Sequence, residues 1–108
     1  MLERRNSARI ALKTKVRETN GDYLFHFECA DLSEDGLFLV NKICFNTQEP
    51  YSQLSLTLPN GVQLRGITAR IVRENRKSEP KGCAYEFLNL SEEARMALKR
   101  FLLSKAAS

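Results

Sequence analysis

The stretch IALKTKVRETNGDYLFHFECA, Ile10–Ala30, decides the fold. In its first half, Ile10, Leu12, Thr14 and Val16 alternate with Ala11, Lys13, Lys15 and Arg17. A period of two sends these sets to opposite sides of an extended chain, so Ile10–Glu18 reads as a strand with one buried face. Asn20-Gly21 follows, and residue types that tolerate positive φ between two alternating runs mark a hairpin. Tyr23–Ala30 is the returning strand. Phe25, Phe27 and Cys29 share its inner side, and Leu24, His26 and Glu28 share the wetter one.

The same logic extends outward. Asp31–Gly36 breaks the alternation and reads as a loop, followed by a short apolar strand, Gly36–Val40. In Gln53–Leu58, Leu54, Leu56 and Leu58 oppose Ser55 and Thr57. Pro59-Asn60-Gly61 supplies another tight turn. Val62–Glu74 is a long strand whose buried face changes near Gly66, which predicts a bulge or bend there. Lys81–Leu88 is the last strand, with Cys83, Tyr85 and Phe87 inward. The period then becomes helical. Ser91 suits an N-cap, Glu92 and Glu93 suit the positive end of the helix dipole, and Ala94, Leu98, Phe101 and Leu102 form an apolar stripe. A helix is predicted over Ser91–Lys105.

Six antiparallel strands and one terminal helix predict a mainly β domain. Short strands joined by tight turns close into a small barrel or a sandwich, with the helix over an open end or face. Residues 1–9 show no periodicity and read as a flexible arm, so the organisation is one domain over 1–108: arm 1–9, β-structure 10–88, helix 91–105.

Composition narrows the class. The chain has 108 residues, which fits one domain. Hydrophobic residues make up 43% and charged residues 28%, ordinary for a globular protein with a real core. The basic start lacks a following apolar run, and no window approaches the ~20 apolar residues of a membrane helix. A cytoplasmic protein is therefore expected. Cys29, Cys44 and Cys83 form no CxxC pair, so no zinc site is expected. Cys29 and Cys83 read as small core hydrophobes. The single histidine, His26, sits at a strand position with no nucleophile or acid patterned around it, so no enzyme is expected.

The net charge of +4 is unevenly spread. Arg4, Arg5, Arg9, Lys13, Lys15 and Arg17 face only Glu3 in the first seventeen residues, and Arg70, Arg73, Arg76, Lys77 and Lys81 form a second basic cluster. An anionic partner fits this distribution.

Two short patterns carry candidate chemistry. Arg5-Asn6-Ser7-Ala8-Arg9 is RxxxR, and Asp31-Leu32-Ser33-Glu34-Asp35-Gly36 is DxSxxG. Both together, in this order and each flanking a strand, arise by chance in on the order of one chain in a hundred. A spacing of four puts both arginines on one side of the arm, extended or helical. Each guanidinium can clasp a phosphate, bond O6 and N7 of guanine, or stack on a base. Asp31 offers acceptors to the N1–H and N2–H2 donors of a guanine edge, Ser33 can donate or accept, and Gly36 permits a turn and close approach. Structural roles compete: two solvated arginines, and an Asx-turn linking two strands.

With these residues in place, the chain resembles the PilZ domain family from about Glu3 to Leu103. In that family an RxxxR arm precedes the first strand and a D/N-x-S-x-x-G loop follows the second, as Arg5/Arg9 and Asp31/Ser33/Gly36 do here. The family's last strand tends to end Gly-hydrophobic-x-Phe. Here it reads Ala84-Tyr85-Glu86-Phe87, a mild departure at Ala84 that touches packing more than binding. The resemblance implies a six-stranded split barrel with a C-terminal helix. It implies cyclic di-GMP as ligand, with the arginines on phosphate and guanine faces and Asp31 and Ser33 on a guanine edge. It implies no cofactor besides that ligand and no metal. In that family an arginine directly before the motif goes with a stacked pair of ligand molecules, and Arg4 holds that place.

The resulting expectation is a receptor whose arm orders on binding and relays the signal to a separate protein. Motility, secretion and surface-polysaccharide machinery are the family's usual outlets. Two alternatives stand beside it: a small basic barrel binding RNA or single-stranded DNA, and a PilZ-like adaptor working through protein contacts without ligand. The aromatic residues argue against the first, since most fall on inward faces and few remain to stack bases.

Overall fold

A computed structural model of the chain describes residues 10–43 and 49–107. Its strands are β1 (Ile10–Asn20), β2 (Tyr23–Leu32), β3 (Gly36–Val40), β4 (Ser52–Thr57), β5 (Gln63–Asn75) and β6 (Gly82–Asn89), followed by helix α1 (Glu92–Ala107). All pairings are antiparallel, and the order β1-β2-β3-β6-β5-β4 returns to β1, closing a barrel. Of the two architectures open to short alternating strands, the chain thus adopts the barrel.

The interior follows the alternation. Val16, Cys29, Leu37, Leu39, Leu54, Leu56, Cys83 and Tyr85 are buried in one cluster. Leu98, Phe101 and Leu102 of α1 join the same cluster, so the helix seals apolar surface the strands leave open. Its start is capped as expected: the Ala94 amide donates to Ser91 Oγ at 3.0 Å. The bend near Gly66 is also present. Gly66 has φ +65°, and the β4–β5 ladder slips between Leu54 and Leu56, which lets both Leu64 and Ile67 point inward.

Two local expectations are corrected. The first hairpin turns on Gly21-Asp22 rather than Asn20-Gly21, because Asn20 still pairs with Tyr23. Gly21 alone in that turn has positive φ, the pattern of a turn with glycine at its first central position. Asn20 is held in the strand by its side chain: Nδ2 donates to Ser52 Oγ at 2.8 Å, and Oδ1 accepts from the Glu49 amide at 2.7 Å. The loop after β2 is likewise shorter than Asp31–Gly36. Asp31 and Leu32 remain paired with Ala11 and Ile10, so the unpaired segment is Ser33–Asp35.

The barrel also holds charge. Glu18 follows Val16 on the inward side of β1 and is fully buried. Its Oε1 lies 3.2 Å from Lys42 Nζ, and its Oε2 accepts from Tyr85 Oη at 2.7 Å and Ser52 Oγ at 2.5 Å. Lys42 Nζ also lies over the rings of Phe25 and Phe27, at 5.1 and 5.2 Å from their centroids. Two buried charges are tolerable only when each faces an opposite charge, as these do. Lys42→Met should therefore destabilise the fold by about 3–5 kcal/mol in urea titration, since it strands the Glu18 carboxylate. Pairing it with Glu18→Leu should recover part of that loss, and a purely additive double variant would contradict the coupling.

Candidate functional site

Asp31 reaches the surface through an irregularity. Phe25, Phe27 and Cys29 point inward, so strict alternation would send Asp31 inward too. Between Cys29 and Asp31 the β2–β3 ladder slips by one residue, and the β1–β2 ladder slips opposite the same segment. Cys29 and Leu32 both end in the core, and Asp31 is turned outward beside exposed Ala11. The bulge thus takes Asp31 off the core face and leaves it half-buried.

Ser33–Asp35 is pinned tightly. The Ser33 amide donates to Gly36 O at 2.9 Å, the Asp35 amide donates to Ser33 Oγ at 3.2 Å, and the Phe87 amide donates to Asp35 O at 2.8 Å. Ser33 is fully buried. Its hydroxyl belongs to the loop's own bonding, as in an ST-turn. Gly36 is buried as well, and a Cβ there would fall 1.9 Å from Tyr85 O. The glycine is needed for the approach of β3 to β6.

Register carries a row across the barrel from Asp31. Asp31 pairs with Phe38, Phe38 with Ala84, and Ala84 with Arg73, giving one cross-barrel row over β2, β3, β6 and β5. Beside it, Gly36 pairs with Glu86, whose Oε1 accepts from Arg70 Nε at 3.0 Å. Phe38 and Ala84 are buried, so the row joins an acid and a base through a covered apolar stretch. Arg4, Arg5 and Arg9 lie outside the described residues, so of the six candidate residues the structure brings together Asp31, Ser33 and Gly36. Strand alternation did not reveal the bulge; the apolar pair Cys29 and Leu32, three apart, was the available signal.

Elsewhere, Cys29 and Cys83 are buried, as expected of small core residues. His26 is exposed and sits opposite Arg17. Among the described residues no three His, Cys, Asp or Glu side chains gather as a metal site would require. No described helix is long and apolar enough to cross a membrane.

A closed six-stranded barrel with a sealing C-terminal helix, and a pinned DxSxxG loop after its second strand, defines a class of small β-barrel domains. The chain belongs to the PilZ domain family, whose model matches residues 3–104. Three solved structures extend the comparison. The Bacillus subtilis inhibitor of motility MotI/DgrA is 18% identical with a TM-score of 0.80, over 98% of this chain and 52% of that one. Escherichia coli YcgR, solved in complex with c-di-GMP, is 17% identical with a TM-score of 0.73, over 98% and 47%. The PilZ domain of CeSA from a cellulose-synthesizing bacterium is 19% identical with a TM-score of 0.66, over 92% and 98%. The chain thus spans about half the length of the first two. No curated protein sequence matches it.

The Gly36 geometry yields a separate test. Gly36→Ala should lower stability by ~1–3 kcal/mol, because overpacking against backbone cannot relax by a rotamer change. A melting temperature unchanged from the parent, read by circular dichroism without ligand, would show that the β3–β6 approach is looser than described.

Proposed function

We propose that this chain is a receptor for cyclic di-GMP, with Arg4, Arg5, Arg9, Asp31, Ser33 and Gly36 forming its site. The observation that carries the reading is the outward turn of Asp31 at a bulge, directly before a rigid loop, in a PilZ-family chain that also holds the RxxxR arm. A carboxylate held there by backbone geometry can accept from N1–H and N2–H2 of a guanine without reorganising. Ser33 and Gly36 act mainly by fixing the loop that follows Asp31. The two arginines supply what this acid cannot: charge for two phosphodiesters and flat surfaces for two guanines. Arg4 adds a third guanidinium, suited to a second, stacked ligand molecule.

Ligand binding orders residues 1–9 across the barrel and creates a new surface, which a separate protein reads. The ordering is driven by charge, because Arg4, Arg5 and Arg9 crowd one short segment and repel one another until an anion neutralises them.

Calorimetry with cyclic di-GMP should show saturable heat, and Arg5→Ala or Arg9→Ala should each raise Kd at least about tenfold, from ~1.5–3 kcal/mol per charge-assisted bond. Asp31→Ala should weaken binding while leaving the melting temperature near that of the parent. No heat at high micromolar ligand would sink the proposal. Backbone NMR signals of residues 1–9 should shift on saturation; unchanged signals alongside measurable heat would sink the ordering step alone.

A further inference from the structure

The basic run does not end with the arm. Lys13, Lys15 and Arg17 continue it along the outward side of β1, and all three are exposed. Register sets His26 of β2 and Ser55 of β4 on either side of Arg17. Lys15, Arg17, His26, Ser55, Thr57 and Arg65 line a cleft of about 260 Å³, together with the buried core positions Val16, Leu56 and Leu64. No carboxylate lines it. The nearest acid in register is Glu28, opposite Lys15.

This cluster differs from the basic cluster on β5. There, Arg70 is paired with Glu86 and Arg76 with Glu74. No ion pair within the described residues engages Lys15, Arg17 or Arg65, and the Arg65 guanidinium donates only to the neutral amide of Gln63. Like charges gathered in one concavity repel and raise the local potential, which favours an anionic occupant. Most charged surface patches are simply solvated. A concave cleft with several cations, two hydroxyls and no internal counter-charge is less readily accounted for that way.

We infer that this face docks an acidic segment of another protein, with its carboxylates on Arg17, Arg65 and Lys15. The inference does not depend on the ligand reading, because none of these residues belongs to the Asp31 site. A second copy of the chain is disfavoured, since the face would meet its own charge. Nucleic acid is disfavoured by the absence of stacking surface: apart from the small ring of His26, no aromatic residue lines the cleft, and single-strand binding needs such platforms. Isolated carboxylates on a peptide need only converging cations and hydroxyl donors.

The test uses a peptide of alternating Asp and Glu, an oligothymidylate of matched length, and the full chain without ligand. At low salt the peptide should move the amide NMR signals of Arg17, Ser55 and Arg65, and binding should fade by ~0.3 M salt. The double variant R17E/R65E should weaken the peptide about tenfold or more while keeping its melting temperature and its heat with cyclic di-GMP. Shifts spread equally over Arg73, Arg76 and Lys81, or no shifts at millimolar peptide, would overturn the inference. Tighter binding of the oligothymidylate at the same salt would overturn it in favour of nucleic acid.

Discussion

A carboxylate with no path to water sets the terms for this barrel. Glu18 is fully buried, so its charge must be met from within, and it is met by groups on three other segments. Lys42 arrives just after β3, Ser52 from the start of β4, Tyr85 from the middle of β6, and Glu18 itself from β1. Strands distant in sequence are thereby fixed against one another by directional bonds, where apolar contacts alone would tolerate sliding. Asn20 extends the same web to the backbone at Glu49 and Tyr51. Such a web contributes little net energy over an apolar core of equal volume. It favours one register, because a slip by one residue would strand a charge in the interior.

The candidate site depends on the opposite device, a local failure of register. Elsewhere on β2 the alternation keeps Phe27 and Cys29 inward, and only the slip after Cys29 puts Asp31 among surface residues. Bulges commonly re-aim a side chain beside a functional loop, and here one aims a carboxylate. The loop behind it is rigid for reasons that need no ligand: a buried Ser33, a backbone bond from Phe87, and a Gly36 that admits no Cβ. Recognition would therefore meet a prepared acid rather than have to organise one.

Much of this was legible from residue order. The alternation of Ile10–Val16, Leu54–Leu58 and Cys83–Phe87 gave strands because a half-buried strand leaves a period-two trace, and the Ser91 cap with its following stripe gave the helix. What escaped had no such trace. Lys42 lies in an aperiodic segment between Val40 and Ile43, and a lysine there is a poor candidate for burial. Asn20-Gly21 reads as a turn by propensity, but tertiary bonds to Ser52 and Glu49 override it and shift the turn by one residue. Glu18 and Asn20 could have been placed, since both continue the Val16 face; a charged residue at a core position is simply a poor prior. Asp31 and Leu32 looked like loop because two polar types, Asp31 and Ser33, bracket one leucine.

Closure has a consequence for how such a domain is read by others. Every strand has a neighbour on both sides over part of its length, so open amides and carbonyls among the described residues are confined to strand ends such as Ile10–Lys15 of β1, beyond its pairing with β4. Main-chain addition is thereby limited to these short ends, and over the rest of the barrel wall an associating molecule is distinguished by side chains and loops. A family built on this frame can therefore diversify its associations by surface substitution while the hydrogen-bonded ladder stays the same.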